Sequence, residues 1–202
     1  MCKKIILIGA GGHGKVIADI IEKSGDKLIG FLDDKAQCDN VMGYPILGKI
    51  DNCTNYSDCE FLISIGNNAV RKKIAEKYTY LKYYTAIHPN AVIANSAKIE
   101  CGSCVMANAV INAAARIGKH CIVNTCASID HDCAIANYVH ISPNAVLCGN
   151  VNVGEQTHIG AGVVVKNNIT IGEKITVGVG AAVVKDLKNS GVYVGIPARE
   201  NV

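Results

Sequence analysis

From position 87 to position 183 an aliphatic residue stands at every sixth place without a slip. The series opens Ile87, Ile93, Ile99, Val105, closes Ile171, Val177, Val183, and only Leu147 within it lacks a branch at Cβ. A six-residue period matches neither a helix nor a simple strand. It marks a parallel β-solenoid of hexapeptides, in which three short strands make a triangular turn. Small residues recur four places after the beat: Ala91, Ala97, Ala109, Ala115, Ala127 and Ala145, with Cys121 and Cys133 in the same slot. The beats are expected to point inward and the small residues to fill the corners. Glycines just after several late beats (Gly118, Gly154, Gly160, Gly172, Gly178) are expected to ease the bends. With strands spaced about 4.8 Å apart, nearly six coils would stand roughly 25–30 Å tall. The last coil needs a cover, and the chain from Leu187 onward is placed to supply it.

Before the repeat the pattern changes. An apolar run at 3–8 reads as a buried strand and leads into Gly9-Ala10-Gly11-Gly12-His13-Gly14. Val16, Ile17, Ile20 and Ile21 then recur at helical spacing, and Gly25 is a stop. A second strand over 28–32 ends at Asp33-Asp34. A brief edge strand is expected at 44–48, because Pro45 cannot donate to a ladder. Another buried strand, 59–65, runs into Gly66-Asn67-Asn68 and a helix over 69–77, with Asn67 or Asn68 as its cap. The layout is two domains: an α/β half-Rossmann unit over 1–85, then an all-β parallel solenoid with its C-terminal cap over 86–202. Some eighty-five residues hold too little sheet for a full dinucleotide fold.

In open α/β sheets ligands sit beyond the carboxyl ends of the strands. Three such ends carry Gly11, Gly12 and His13, then Asp33 and Asp34, then Gly66. The glycines let backbone N–H groups and a helix N-terminus approach a phosphate, and the acids lie where such units reach a ribose hydroxyl. A small nucleotide pocket is the expectation.

Composition narrows the rest. Aromatic residues make up 5% and Trp is absent, so the apolar load is Ile, Val and Ala. The formal charge of +3 comes with no basic run, which leaves no footprint for nucleic acid. Neither a signal peptide nor a membrane span is apparent, so a soluble, cytoplasmic protein is expected. Ten cysteines without a secretion signal argue for free thiols. Cys101 and Cys104 have metal-like spacing but no second pair, and Cys121 and Cys133 read as small buried hydrophobes.

One histidine is unusual. His131 is flanked by Asp130 and Asp132 at a corner of the repeat. A reaction that must take a proton from its nucleophile needs an acceptor, and an imidazole oriented by a carboxylate meets that need. His158 stands eighteen residues after His140 and is expected to stack on it as a structural neighbour. Asn112 and Asn124 are expected near His131, as an asparagine ladder. Gly160 to Gly162 and Gly178 to Gly180 form a track of small residues along which an extended ligand could meet backbone amides.

The hexad rule together with Gly195-Ile196-Pro197-Ala198-Arg199 resembles the hexapeptide-repeat acyltransferases. The resemblance narrows with the glycine turn, Phe31-Leu32-Asp33-Asp34, Ile65-Gly66-Asn67-Asn68, Ile111-Asn112-Ala113, Asn124-Thr125, Asp130-His131-Asp132-Cys133 and Val139-His140-Ile141-Ser142. These look like the bacterial nucleotide-sugar N-acetyltransferases of the bacillosamine and perosamine type, with their sialic acid O-acetyltransferase-like relatives. The resemblance implies a left-handed β-helix and a homotrimer with active sites between subunits. It implies His131 as general base with Asp132 beside it, where relatives also use Glu. It implies His140, Ala161 and Val179 at acetyl-CoA, and His13 in the sugar-nucleotide site. It implies acetyl-CoA as co-substrate, no metal, and a UDP-4-amino-4,6-dideoxy sugar as acceptor, for glycan or glycoprotein biosynthesis. A GDP-amino sugar such as perosamine and sialic acid O-acetylation are the alternatives. A trimeric β-helix metalloenzyme ranks below them, since the close histidine pair it requires is missing.

Overall fold

The computed structural model describes residues 2–201. Strand β1 (Lys4–Ile8) leads through a glycine turn into helix α1 (Gly12–Lys23), and β2 (Lys27–Leu32) returns parallel to β1. The short strands β3 (Asn40–Val41) and β4 (Tyr44–Pro45) form a hairpin, and β5 (Glu60–Ile63) precedes helix α2 (Asn68–Lys77). The main sheet is parallel, in the order β2-β1-β5. Ile5, Ile6, Leu7 and Ile8 are fully buried because helices and the solenoid cover both faces, as parallel strands require. The edge strand expected at 44–48 shrinks to the hairpin and one bridge from Ile46 to Phe31. Pro45 has no N–H to carry the ladder further.

Gly9 sits at φ +112°, and a side chain there would strike Ile65. At Gly14 a Cβ would stand 2.5 Å from the Gly9 carbonyl oxygen, so α1 crosses its strand at a distance only glycine permits. Helix α1 starts within the glycine turn, at Gly12, four residues before the apolar periodicity begins at Val16.

From Ala86–Ile87 onward the chain coils into a parallel β-solenoid. Partners lie one triangular turn apart, for example Ile122 with His140 and Val110 with Ser128. Three sheets form the walls of a prism. The first carries Cys104–Val105, Ile122–Val123, His140–Ile141 and His158–Ile159; the second Val110–Ile111, Ser128–Ile129 and Val146–Leu147; the third Arg116–Ile117, Ala134–Ile135 and Asn152–Val153. Beats from Val105 to Val183 are buried in one continuous core. The first beats are not: Ile87 is 37% exposed, and Ile93 and Ile99 are half-buried. The N-terminal unit packs on a wall of the prism, where Ala86, Cys104 and Ile122 join its core, and leaves the first coil open underneath. At the other end Gly191–Val194 pairs with Ile175–Val177, and Leu187, Tyr193 and Ala198 close the core.

The bends are made differently from the expectation. At every sixth residue from Gly102 to Gly180, three after the beat, φ is positive, near 60° for Asn108, Asp132, Asn144 and Asn150. Asparagine and aspartate tolerate this region better than most residues. The glycines after the late beats are not among these positions. They stand where coils touch: at Gly160 a Cβ would lie 2.5 Å from the Val177 carbonyl oxygen. Among the described residues no helix is long and apolar enough to cross a membrane.

Substitutions at two positions test this division of labour. Leu147→Ala, at a fully buried beat, is expected to cost about 2–5 kcal/mol in denaturant unfolding. At the left-handed corner, Asn144→Gly should be tolerated, while Asn144→Val should lose about 1–2 kcal/mol.

Candidate active site

The carboxyl ends of β1, β2 and β5 open into a cavity of about 820 Å³. Gly11, Gly12, His13, Asp33, Asp34 and Gly66 all line it. The first N–H groups of α1 lack intrahelical partners, and no acidic residue occupies that first turn. Asp33 accepts from the backbone N–H of Ala10 at 2.8 Å and of Lys35 at 2.7 Å, and Asp34 from that of Ile50 at 2.9 Å. Both acids therefore shape the loops while still lining the cavity. Lys73 and Lys77 of α2 and Tyr78 just after it also line the cavity. These lysines and Lys35 suit an anionic ligand.

A second cavity of about 600 Å³ shares Gly66 with the first and is walled by Asn68, His140, Gln156, His158 and Lys174. His140 stacks on His158 with ring centres 4.7 Å apart and planes 9° apart, and His13 lies 6.5 Å from it on the other side. Nε2 of His140 pairs with the Asn124 carboxamide at 3.2 Å, and Nε2 of His158 with the Ser142 hydroxyl at 2.8 Å. His158 thus belongs to this cavity as well as stacking on its neighbour. Burial first, then the nearby His158, Arg71 and His13, pushes His140 down to about 3. Burial and Arg71 push His13 down to about 4. These imidazoles are neutral near pH 7 and serve as hydrogen-bonding groups.

Arg71 was not legible as a site residue. Its side chain is 1% exposed and lies under Gly66, its Nη1 donating to the carbonyls of Ile65 and Gly66. The available signal is a charge on the buried face of α2, one turn before Ala75.

His131 lies elsewhere. It occupies the prism edge between the second and third walls, following Ser128–Ile129 and preceding Ala134–Ile135. That edge is opposite the wall on which the N-terminal unit packs. His131 lines neither cavity. Its Nδ1 pairs with Asp132 Oδ2 at 2.8 Å, and Asp130 accepts from its backbone N–H at 2.8 Å. The Asp132 bond first, and the Asp130 charge next, hold its pKa above the ordinary value. Nε2 remains free. The ring lies across the next coil at Gly149, where a Cβ would sit 2.6 Å from Cε1 and Nε2. Asn112 donates to Asp130 at 3.0 Å, whereas Asn124 points to His140 and not to His131. Asn112 precedes the second wall's corner, Asn124 the first wall's, which separates them.

Ala161 and Val179 follow the first wall, on the edge next to His140 and His158. Val179 is 81% exposed. No atom would meet a Cβ within 4 Å at Gly162 or Gly180, so the backbone there is open to a ligand lying alongside. In one chain, then, the sequence-expected residues form two groups: the cavities with the Ala161–Val179 edge, and His131 with Asp132.

Similar proteins cover both the N-terminal unit and the solenoid. The PglD N-terminal domain family matches residues 4–78. The acetyltransferase domain of PglB from Neisseria gonorrhoeae FA1090, in complex with acetyl coenzyme A, superposes with a TM-score of 0.95 at 38% identity, covering 100% of both chains. The chain belongs to the family of the PglB acetyltransferase domain. PerB from Caulobacter crescentus, in complex with CoA and GDP-perosamine, superposes with a TM-score of 0.93 at 33% identity, over 100% of this chain and 99% of that one. UDP-N-acetylbacillosamine N-acetyltransferase of Bacillus subtilis (strain 168) is 42% identical over 112 residues, 52% of each chain. The match thus spans about half the length of that curated relative.

The neutral histidines set a pH dependence. His13, His140 and the buried His120, also pushed down to about 4, have folded pKa values below the unfolded 6.5. Unfolding takes up protons between those values, so stability is full above pH 6.5 and falls as pH drops toward 4. Thermal melts at pH 7.5, 5.5 and 4.5 should decline in that order, by about 2–4 °C for each kcal/mol lost. His120→Phe should remove part of the decline.

Proposed function

We propose that the protein is an acetyl-CoA-dependent N-acetyltransferase that acts on the amino group of a nucleotide-activated sugar. The observation that carries this reading is the pairing of His131 Nδ1 with Asp132, which leaves Nε2 free on an exposed prism edge. A half-Rossmann cavity and an open glycine edge stand ready for the two substrates. Gly11, Gly12, His13, Asp33, Asp34 and Gly66 hold the nucleotide. His140, Ala161 and Val179 border acetyl-CoA. The domains divide the work: residues 1–85 select the sugar nucleotide, and 86–202 carry the base and the acyl donor.

His131 cannot face the nucleotide cavity of its own chain, because a whole wall of the prism separates them. A neighbouring copy of the chain would bring its own cavities to that edge, and the active unit we propose is the homotrimer that the family resemblance implies, one subunit's His131 edge meeting the neighbour's cavities. The sugar amine attacks the thioester carbonyl carbon directly. Its proton passes to His131 Nε2, the C–S bond breaks, and the proton returns to the departing thiolate. Asp132 orients the ring and favours its protonated form. The products are an acetamido sugar and CoA, and no metal takes part. The enzyme works in the cytoplasm, the compartment of its acyl donor.

The acceptor we favour is a UDP-4-amino-4,6-dideoxy sugar of the bacillosamine type, in glycan or glycoprotein biosynthesis. A relative 33% identical binds GDP-perosamine, so GDP-amino sugars are the second candidates. A thiol-release assay with acetyl-CoA and a panel of UDP-, GDP- and CMP-linked sugars decides. Release with a UDP- or GDP-amino sugar is expected. Release only with a sugar lacking a free amine would overturn N-acetylation.

His131→Ala should lower turnover by about 10²–10⁴-fold while acetyl-CoA still binds in calorimetry; near-normal turnover would remove His131 from the chemistry. His131 must be deprotonated to accept, so activity rises with pH through its raised pKa. Asp132→Asn deletes the main raising partner, and the acidic limb of the pH–rate profile should move to lower pH. Gly149→Ala should displace the ring and reduce turnover with no loss of acetyl-CoA binding.

A further inference from the structure

We infer that Arg71 and Asn68 form a positioning clamp that locks the loop shared by the two cavities onto three successive coils of the solenoid. The inference rests on the function proposed above. Its basis is a column of carbonyl groups. The left-handed corners stack one turn apart at His120, Tyr138 and Gln156, and the backbone ladder uses none of these three carbonyls among the described residues. A buried carbonyl without a partner is costly. Arg71 Nε donates to His120 at 2.7 Å and Nη2 to Tyr138 at 3.0 Å. Asn68 Nδ2 donates to Gln156 at 2.9 Å and to Thr157 at 3.2 Å.

The same two side chains grip the loop. Arg71 Nη1 holds the Ile65 and Gly66 carbonyls at 2.9 and 3.1 Å, and Nη2 holds Asn68 Oδ1 at 2.7 Å. Every bond goes to a neutral oxygen, so the clamp works through the planar fork of the guanidinium, which a lysine does not reproduce. Gly66 is the wall common to both cavities, and Arg71 lines neither of them. The clamp sets the distance and angle between the bound nucleotide and the His140 cleft. A loosened clamp leaves nucleotide binding in place and misaligns the amine, a loss that falls on kcat.

The test uses the full chain with Asn68→Ala and Arg71→Lys. Wild type and variants are compared for UDP and GDP binding, for kcat with the accepted amino sugar, and for amide hydrogen exchange over residues 65–70. The expected result has four parts: full nucleotide stoichiometry, affinity within about threefold of wild type, a fall in kcat of roughly tenfold or more for each variant, and faster exchange in the loop. Wild-type kcat together with unchanged exchange in Asn68→Ala would overturn the clamp. If Arg71→Lys does not fold, Asn68→Ala alone decides. If wild type acetylates no nucleotide sugar, the function fails, and exchange still reads the clamp: faster exchange in Asn68→Ala upholds it and unchanged exchange rejects it.

Discussion

A left-handed backbone residue at every sixth position from Gly102 to Gly180 is the constraint on which the molecule depends. It closes each coil, keeps the beats pointing inward, and brings residues of successive turns into register. It also dictates what the corners offer. Asp132 takes such a position, which turns its carboxylate back onto the His131 ring. At His120, Tyr138 and Gln156 the same conformation leaves carbonyls facing outward, and the N-terminal unit is anchored there.

The junction is polar and apolar by turns. Ala86, Cys104 and Ile122 give the N-terminal unit an apolar seat on the lower first wall. Higher on that wall the outward positions become His140 and His158, and the seat becomes a cavity. Arg71 lies at the changeover. A buried cation without a carboxylate is tolerable only when its donors are satisfied, and here they are. Its field, added to burial, keeps the neighbouring histidines neutral. The exposed His131, flanked by two acids, is biased the other way. Two populations of imidazole therefore coexist in one chain, one buried and held neutral, the other exposed and biased toward its protonated form.

Much of this was legible from residue types and spacing. Period six fixed on inward Ile and Val, with small residues four places later, marks a hexapeptide solenoid, because a plain strand would repeat its apolar face every two residues rather than every six. The strand ends at Gly11 to His13, Asp33-Asp34 and Gly66 do converge on one cavity, since a parallel sheet puts all its carboxyl ends on one side. The glycines after the late beats carried a misleading signal. Their role is contact between coils, and the bends belong to asparagine and other residues that enter the left-handed region. Arg71 was hidden because a lone arginine in a helix ordinarily faces solvent.

The sequence by itself determined the repeat, its register and the identity of the His131–Asp132 pair, because these follow from local backbone geometry and neighbours in the chain. Only the tertiary structure decided which wall of the prism receives the N-terminal unit. That choice depends on long-range packing of α1 and β1 against Ala86, Cys104 and Ile122, which no period encodes. It places His131 on the edge away from the cavity of its own N-terminal unit, brings His13 near His140, and turns Arg71 inward against the carbonyl column.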